Sequence, residues 1–140
     1  MGNIINSSLL VDDDKAINFF NSYVIAKHKF FNKTEMVSSG NAALEYLKGS
    51  INDLSKKPQI IFLDLNMPAM NGWEFLIEYG KLDKKITSDI KVFILTTSEN
   101  PNDLKKSKES DLVSGFLNKP LSLSVLDRIL EEYFSLSQVE

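Results

Sequence analysis

No cysteine occurs among the 140 residues, which excludes a disulfide framework and any thiolate-held metal, and permits a reducing compartment. No run approaches the roughly 18 apolar residues needed to cross a bilayer. The first residues also lack a basic stretch leading into an apolar core, so neither a membrane span nor a secretory leader is expected, and the expected location is the cytoplasm. Blocks of one charge sign are missing too. The net charge of -3 comes from interspersed Asp, Glu and Lys, which argues against direct nucleic-acid binding and against a disordered acidic tail. The single histidine, His28, stands between Lys27 and Lys29 near an expected helix end, where a solvated or helix-dipole role is expected and no chemistry is assigned.

What is present is an alternation of short apolar runs with helical patterns, the signature of repeated βαβ units around a parallel sheet. Five pairs can be drawn. Strands are predicted at 8–11, 34–37, 60–63, 92–95 and 115–117, and helices at 16–26, 41–47, 73–79, 101–109 and 123–134. In the first helix Ile17, Phe20, Val24 and Ile25 are expected to face inward; in the last, Leu126, Ile129, Leu130 and Tyr133. Asp14 suits the N-cap of the first helix, and Pro101 the opening position of the fourth. Trp73, Phe75 and Leu76 read as packing, and the lysines at 105, 106 and 108 as a solvated helix face. A single α/β domain follows, with its core at about 7–136, and no linker or repeat interrupts it.

The most informative segment is Ile60 to Pro68, where Asp64 ends an apolar run that otherwise reads as a fully buried parallel strand. A parallel sheet aligns its strand ends, so the residues just past each apolar run converge on one edge, where open α/β sheets hold ligands. Those residues are Asp12, Asp13 and Asp14 after the first strand, Asp64 after the third, Thr96, Thr97 and Ser98 after the fourth, and Asn118, Lys119 and Pro120 after the fifth. Clustered carboxylates raise one another's pKa unless a positive charge relieves them. Hard oxygen ligands without His or Cys favour Mg²⁺. Lys119 can meet a phosphoryl oxygen as a point charge, and the Thr96 hydroxyl can donate to another. This set suits phosphoryl transfer to Asp64, whose ionised carboxylate needs no separate base.

The segments LLVDDDK, IIFLDLNMPAMNGWEFL, FILTTS and GFLNKP stand in the order and spacing of the receiver domains of two-component response regulators, and nearly the whole chain resembles that family. The resemblance implies a doubly wound, flavodoxin-like (βα)5 fold with strand order 2-1-3-4-5. It implies Asp64 as phospho-acceptor and Asp13 as direct metal ligand, with Asp12 as an outer metal partner and the Asn66 backbone carbonyl as a further ligand to Mg²⁺. Thr96 and Lys119 take the phosphate-sensing roles. A cis peptide before Pro120 is also common in the family. Phe116 occupies the switch position, often Tyr in the family, and lacks the hydroxyl. Thr97 stands where many members carry Ala, and Asn66 and Ser98 occupy positions that tune phosphoryl lifetime.

The chain ends at Glu140, just past the fifth helix, so the resemblance is to stand-alone receivers without an output domain. Such a protein catalyses only its own phosphorylation and dephosphorylation. The implied donor is a phosphohistidine on a sensor histidine kinase or a histidine phosphotransfer protein. The implied output is docking, as a monomer or weak dimer, through the face of the fourth helix, fifth strand and fifth helix. Two enzyme-like alternatives fit less well. A haloacid-dehalogenase-like phosphatase needs a second Asp two residues after the first, where this chain has Asn66. A flavodoxin-like electron carrier needs a Thr/Ser/Gly-rich loop after the first strand, where three aspartates would repel a phosphate. A pseudo-receiver that only binds partners is disfavoured because every phosphorylation position is filled.

Overall fold

The computed structural model describes residues 5–97 and 99–134. Its five strands, β1 (Ile5–Val11), β2 (Phe31–Val37), β3 (Ile60–Leu63), β4 (Lys91–Thr96) and β5 (Gly115–Asn118), form one sheet in the order β2-β1-β3-β4-β5. All neighbours are parallel, with Val11 opposite Leu63, Leu63 opposite Ile94, and Thr96 opposite Asn118. This register brings the carboxyl ends of β1, β3, β4 and β5 to one edge, as strand-end convergence requires.

The middle strand β3 is buried throughout and its neighbours β1 and β4 are buried toward their carboxyl ends, because helices cover both faces, and their alternate residues enter two separate cores. Leu10, Phe62, Phe93, Leu95 and Leu117 pack with Ile25 of α1 (Lys15–Ala26) and with Leu126, Ile129 and Leu130 of α6 (Leu123–Tyr133). Leu9, Val11, Ile61, Leu63 and Val92 pack on the opposite side. Their partners are Ala43, Leu44 and Leu47 of α2 (Gly40–Gly49) and Phe75, Leu76 and Tyr79 of α3 (Gly72–Tyr79).

Local signals set the helix starts. The Asp14 carboxylate accepts from the Ala16 and Ile17 N–H groups, and Asn71 and Glu74 form a reciprocal capping box at α3. Asn100 caps α5 (Pro101–Glu109), whose first residue is proline because that position has no intrahelical use for an N–H.

Four features differ from the sequence reading. A sixth helix, the single turn α4 (Lys84–Thr87), packs Ile86 against the second core, and two 3₁₀ turns follow α2 at Ser50–Asn52 and Leu54–Lys56. Four residues are too few to show a period. β1 and β2 each start three residues earlier than expected, at Ile5 rather than 8 and at Phe31 rather than 34, since the polar residues opening β1 and the largely exposed surface of the edge strand β2 show no apolar alternation. α1 departs from its expected inward face at one position: Ile25 is buried and Val24 packs against the first core, but Phe20 is 48% exposed while Asn18 and Asn21 are buried.

His28 is the fourth, being buried rather than solvated. Its Nε2 lies 2.7 Å from Asp127 Oδ1, while Nδ1 accepts from the Phe30 N–H at 3.2 Å. An accepting Nδ1 places the ring proton on Nε2, so neutral His28 donates to Asp127 and ties the end of α1 to α6. Trp73 does pack, half-buried, and its Nε1 donates to Asp103 on α5 at 3.1 Å. Lys106, expected on a solvated face, holds its ammonium 4.9 Å from the Trp73 ring centroid.

Candidate functional site

Asp12, first after β1, and Asp64, first after β3, are both buried, while the neighbouring Asp13 is exposed. One carboxylate oxygen from each of the three lies within 4.8 Å of the others. Lys119, first after β5, reaches into this nest: its Nζ is 2.6 Å from Asp12 Oδ2 and 3.3 Å from Asp64 Oδ1. Its backbone N–H donates to the Thr96 carbonyl at 2.9 Å, joining the ends of β4 and β5. Thr96 itself is fully buried. The Lys119–Pro120 peptide is cis.

Three supports hold the nest. Asp12 Oδ1 accepts the Asp14 N–H at 2.9 Å, which orients that carboxylate. The amide of Asn18 donates to the carbonyls of Asp12 at 2.9 Å and Val37 at 3.1 Å, and its Oδ1 has no hydrogen-bond partner among the described residues. Asn21 Oδ1 accepts the Leu121 N–H at 3.2 Å, two residues beyond Lys119.

The loop after Asp64 is closed by backbone geometry. Ala69 adopts a φ of 67°, and the Met70 N–H donates to the Pro68 carbonyl at 2.7 Å, a tight turn that L-residues adopt only under constraint. The Gly72 N–H donates to the Leu65 carbonyl at 2.9 Å. A Cβ on Gly72 would lie 2.7 Å from the Asp64 carbonyl oxygen, so α3 can start this close to Asp64 only from a glycine.

Burial raises the pKa of Asp64 above its ordinary 3.8, the charge of Asp12 adds to the rise, and Lys119 and the Asn66 N–H oppose it. Burial alone would lower Lys119, but hydrogen bonds and charge from Asp12 and Asp64 outweigh it, so its pKa lies above 10.5. Asp64 binds its proton more tightly folded than unfolded, so metal-free stability attributable to it falls as pH rises from 3.8 through the raised value. Lys119 contributes stability that is fully present below 10.5 and lost as pH climbs past its folded pKa.

Asp64→Asn is therefore expected to raise the metal-free melting temperature at neutral pH by a few degrees, with the advantage vanishing at about pH 3. Calorimetry on both proteins at the two pH values checks this; an equal difference at both would contradict it.

Sequence reasoning named Asp12, Asp13, Asp64, Thr96 and Lys119, and the structure brings them to one edge. Asn66 lies two residues past Asp64, with its side chain exposed. Phe116 is half-buried on β5 and lines a cavity of about 380 Å³ with Leu104, Ser107 and Tyr133. Thr97 is exposed. Ser98 lies outside the described residues. Gly72, Asn18 and Asn21 were not anticipated. Gly72 had a faint signal in the turn-rich loop after Asp64, whereas the two asparagines had none.

The family pattern of the response regulator receiver domain matches residues 8–131. Response regulator Rcp1 of Synechocystis sp. is 32% identical over 128 residues, covering 88% of this chain and 82% of that protein. A two-component response regulator from Cytophaga hutchinsonii superposes with a TM-score of 0.85 at 32% identity, covering 94% of this chain and 98% of that one. The structure of the phosphorylated cyanobacterial phytochrome response regulator RcpA gives a TM-score of 0.70 at 31% identity, over 94% and 95% of the two chains. Rcp1 in its Mn²⁺-bound form gives 0.69 at 30%, over 91% and 93%.

This chain belongs to the response regulator receiver family of two-component signal transduction. It is a phosphorelay receiver, a signalling module rather than a classical enzyme, of the kind that interacts with histidine kinases or phosphotransfer proteins. No helix among the described residues is long and apolar enough to cross a membrane.

Proposed function

We propose that Asp64 is the phospho-acceptor, charged by a phosphohistidine on a sensor histidine kinase or phosphotransfer protein in the cytoplasm, with Mg²⁺ as cofactor. The observation that carries this reading is Lys119 bridging Asp12 and Asp64 inside a nest of three carboxylates. One ammonium among three acids leaves an excess of negative charge, and hard oxygen donors without His or Cys fit a magnesium-sized cation. Asp12, Asp13, Asp64 and the Asn66 carbonyl would hold it, and when bound it neutralises charge on the transferring phosphoryl oxygens. The Mn²⁺-bound form of Rcp1 and the phosphorylated form of RcpA support both halves of the reading.

An Asp64 carboxylate oxygen forms a bond to phosphorus while the P–N bond to the donor imidazole breaks. Its electron pair goes to nitrogen, which takes up a proton. The Asn66 N–H and Lys119 hold the carboxylate ionised and aimed, and Lys119 then meets a phosphoryl oxygen. Thr96, buried at the end of β4, supplies its hydroxyl to another. The added charge of about -1.5 to -2 re-biases Phe116 and the face formed by α5, β5 and α6 for docking to a protein partner. The chain acts as a monomer or weak dimer without direct nucleic-acid contact, and Asn66 and Ser98 tune the phosphoryl lifetime.

Incubation with acetyl phosphate and Mg²⁺ is expected to add the mass of one phosphoryl group to the wild type and none to Asp64→Asn. Modification that persists in the variant, or never occurs in the wild type, rejects the assignment.

A further inference from the structure

The first two turns of α1 present amides to the interior where a covering helix ordinarily presents leucines: Asn18 and Asn21 are buried, while Phe19, Phe20 and Tyr23 are exposed. Burying an amide with an unpartnered oxygen, as at Asn18 Oδ1, opposes folding, so stability alone does not account for the choice. Each amide instead grips the main chain at one limb of the site. Asn18 Nδ2 holds the Asp12 carbonyl and, through Val37, the end of β2. Asn21 Oδ1 holds the Leu121 N–H, just past the Lys119 that faces Asp12 and Asp64. Residues three apart lie side by side on a helix, so one rigid face sets both limbs.

Resting on the acceptor reading above, we infer that Asn18 and Asn21 are positioning residues with divided tasks, Asn18 fixing the main chain of the metal-side residue Asp12 and Asn21 fixing the main chain just past Lys119, whose ammonium lies on the phosphate side. Asn18 governs cation affinity and Asn21 governs the transfer step.

The test uses the full chain and three readouts: Mg²⁺ titration by calorimetry without phosphodonor, the initial rate with acetyl phosphate at saturating Mg²⁺, and thermal unfolding. Asn18→Ala is expected to weaken Mg²⁺ binding about tenfold, the usual scale for groups that orient metal ligands, with a clearly smaller effect on the saturated rate. Asn21→Ala is expected to show the reverse, a rate loss of about tenfold exceeding its effect on affinity. If either alanine variant fails to fold, the near-isosteric Asn18→Leu or Asn21→Leu replaces it under the same expectation. Parallel losses in both quantities for both variants, or a change confined to melting temperature, overturn the division of tasks. A wild type that binds Mg²⁺ but takes up no phosphoryl group overturns the acceptor reading instead.

Discussion

Lys119→Met is expected to slow phosphorylation by acetyl phosphate about 100-fold or more while tightening Mg²⁺ binding. The two effects have opposite signs because the ammonium occupies two roles. Before phosphorylation it sits 2.6 Å from Asp12 and 3.3 Å from Asp64, offsetting charge that a cation would otherwise neutralise, so its removal raises cation affinity. In the transfer step proposed above it would be a preorganised positive group beside the reacting oxygen, and deleting one such donor from a buried site typically costs about 10²–10³ in rate. Methionine fills similar space with no charge, so packing changes little. The metal-free variant is expected to be less stable than wild type, because two buried carboxylates lose their shared partner. Added Mg²⁺ is expected to restore that loss. Rate measurements across a Mg²⁺ series separate the roles. A saturated rate within a few-fold of wild type, or weaker Mg²⁺ binding, would remove Lys119 from the transfer step.

Gly72→Ala is expected to destabilise the fold by about 1–3 kcal/mol, the usual scale for overpacking a site that cannot relax. The added Cβ would meet the Asp64 carbonyl oxygen at 2.7 Å, Leu65 Cδ2 at 2.8 Å and Leu65 Cα at 2.9 Å. Two of those three are main-chain atoms, so relief requires moving either the start of α3 or the backbone that carries Asp64. Phosphorylation is therefore expected to slow in parallel with the loss of stability. Gly49→Ala provides the control. Gly49 has helical backbone angles, φ -66° and ψ -21°, and its Cβ would meet nothing within 4 Å. There alanine is expected to stabilise by about 0.4–1 kcal/mol through lost unfolded-state entropy. Urea titration of both variants reads the two signs. A neutral Gly72→Ala would show that the close approach to Asp64 is not a constraint.

The acceptor candidate was legible because it breaks a rule: Asp64 is a carboxylate at the end of a run that is otherwise fully apolar. The strands and most helices were legible for the same class of reason, since apolar period and capping chemistry are local. Asp14 at the start of α1 and Pro101 at the start of α5 are cases where neighbours within one turn supply all the information. Phe20 shows the limit of period reading. The apolar pattern put Phe20 on the inward face with Ile17, Val24 and Ile25, whereas the helix buries Asn18 and Asn21, whose partners are main-chain carbonyls and an N–H. His28 fails for a related reason. Its acceptor Asp127 is 99 positions away, so nothing local distinguished a buried, partnered imidazole from a solvated one.

Composition, period and strand-end chemistry thus sufficed by themselves for the fold class, the acidic edge and the identity of the acceptor candidate, because each depends on residues within a few positions of one another or on the general rule that parallel strands end together. Only the tertiary structure decided that Lys119 bridges two carboxylates rather than one, that two asparagines of α1 hold the limbs of the nest, and that Gly72 lets α3 begin against Asp64. Those facts are distances of a few ångströms between segments far apart in sequence. They are set by how helices rotate and pack on the sheet, and no local pattern encodes that rotation.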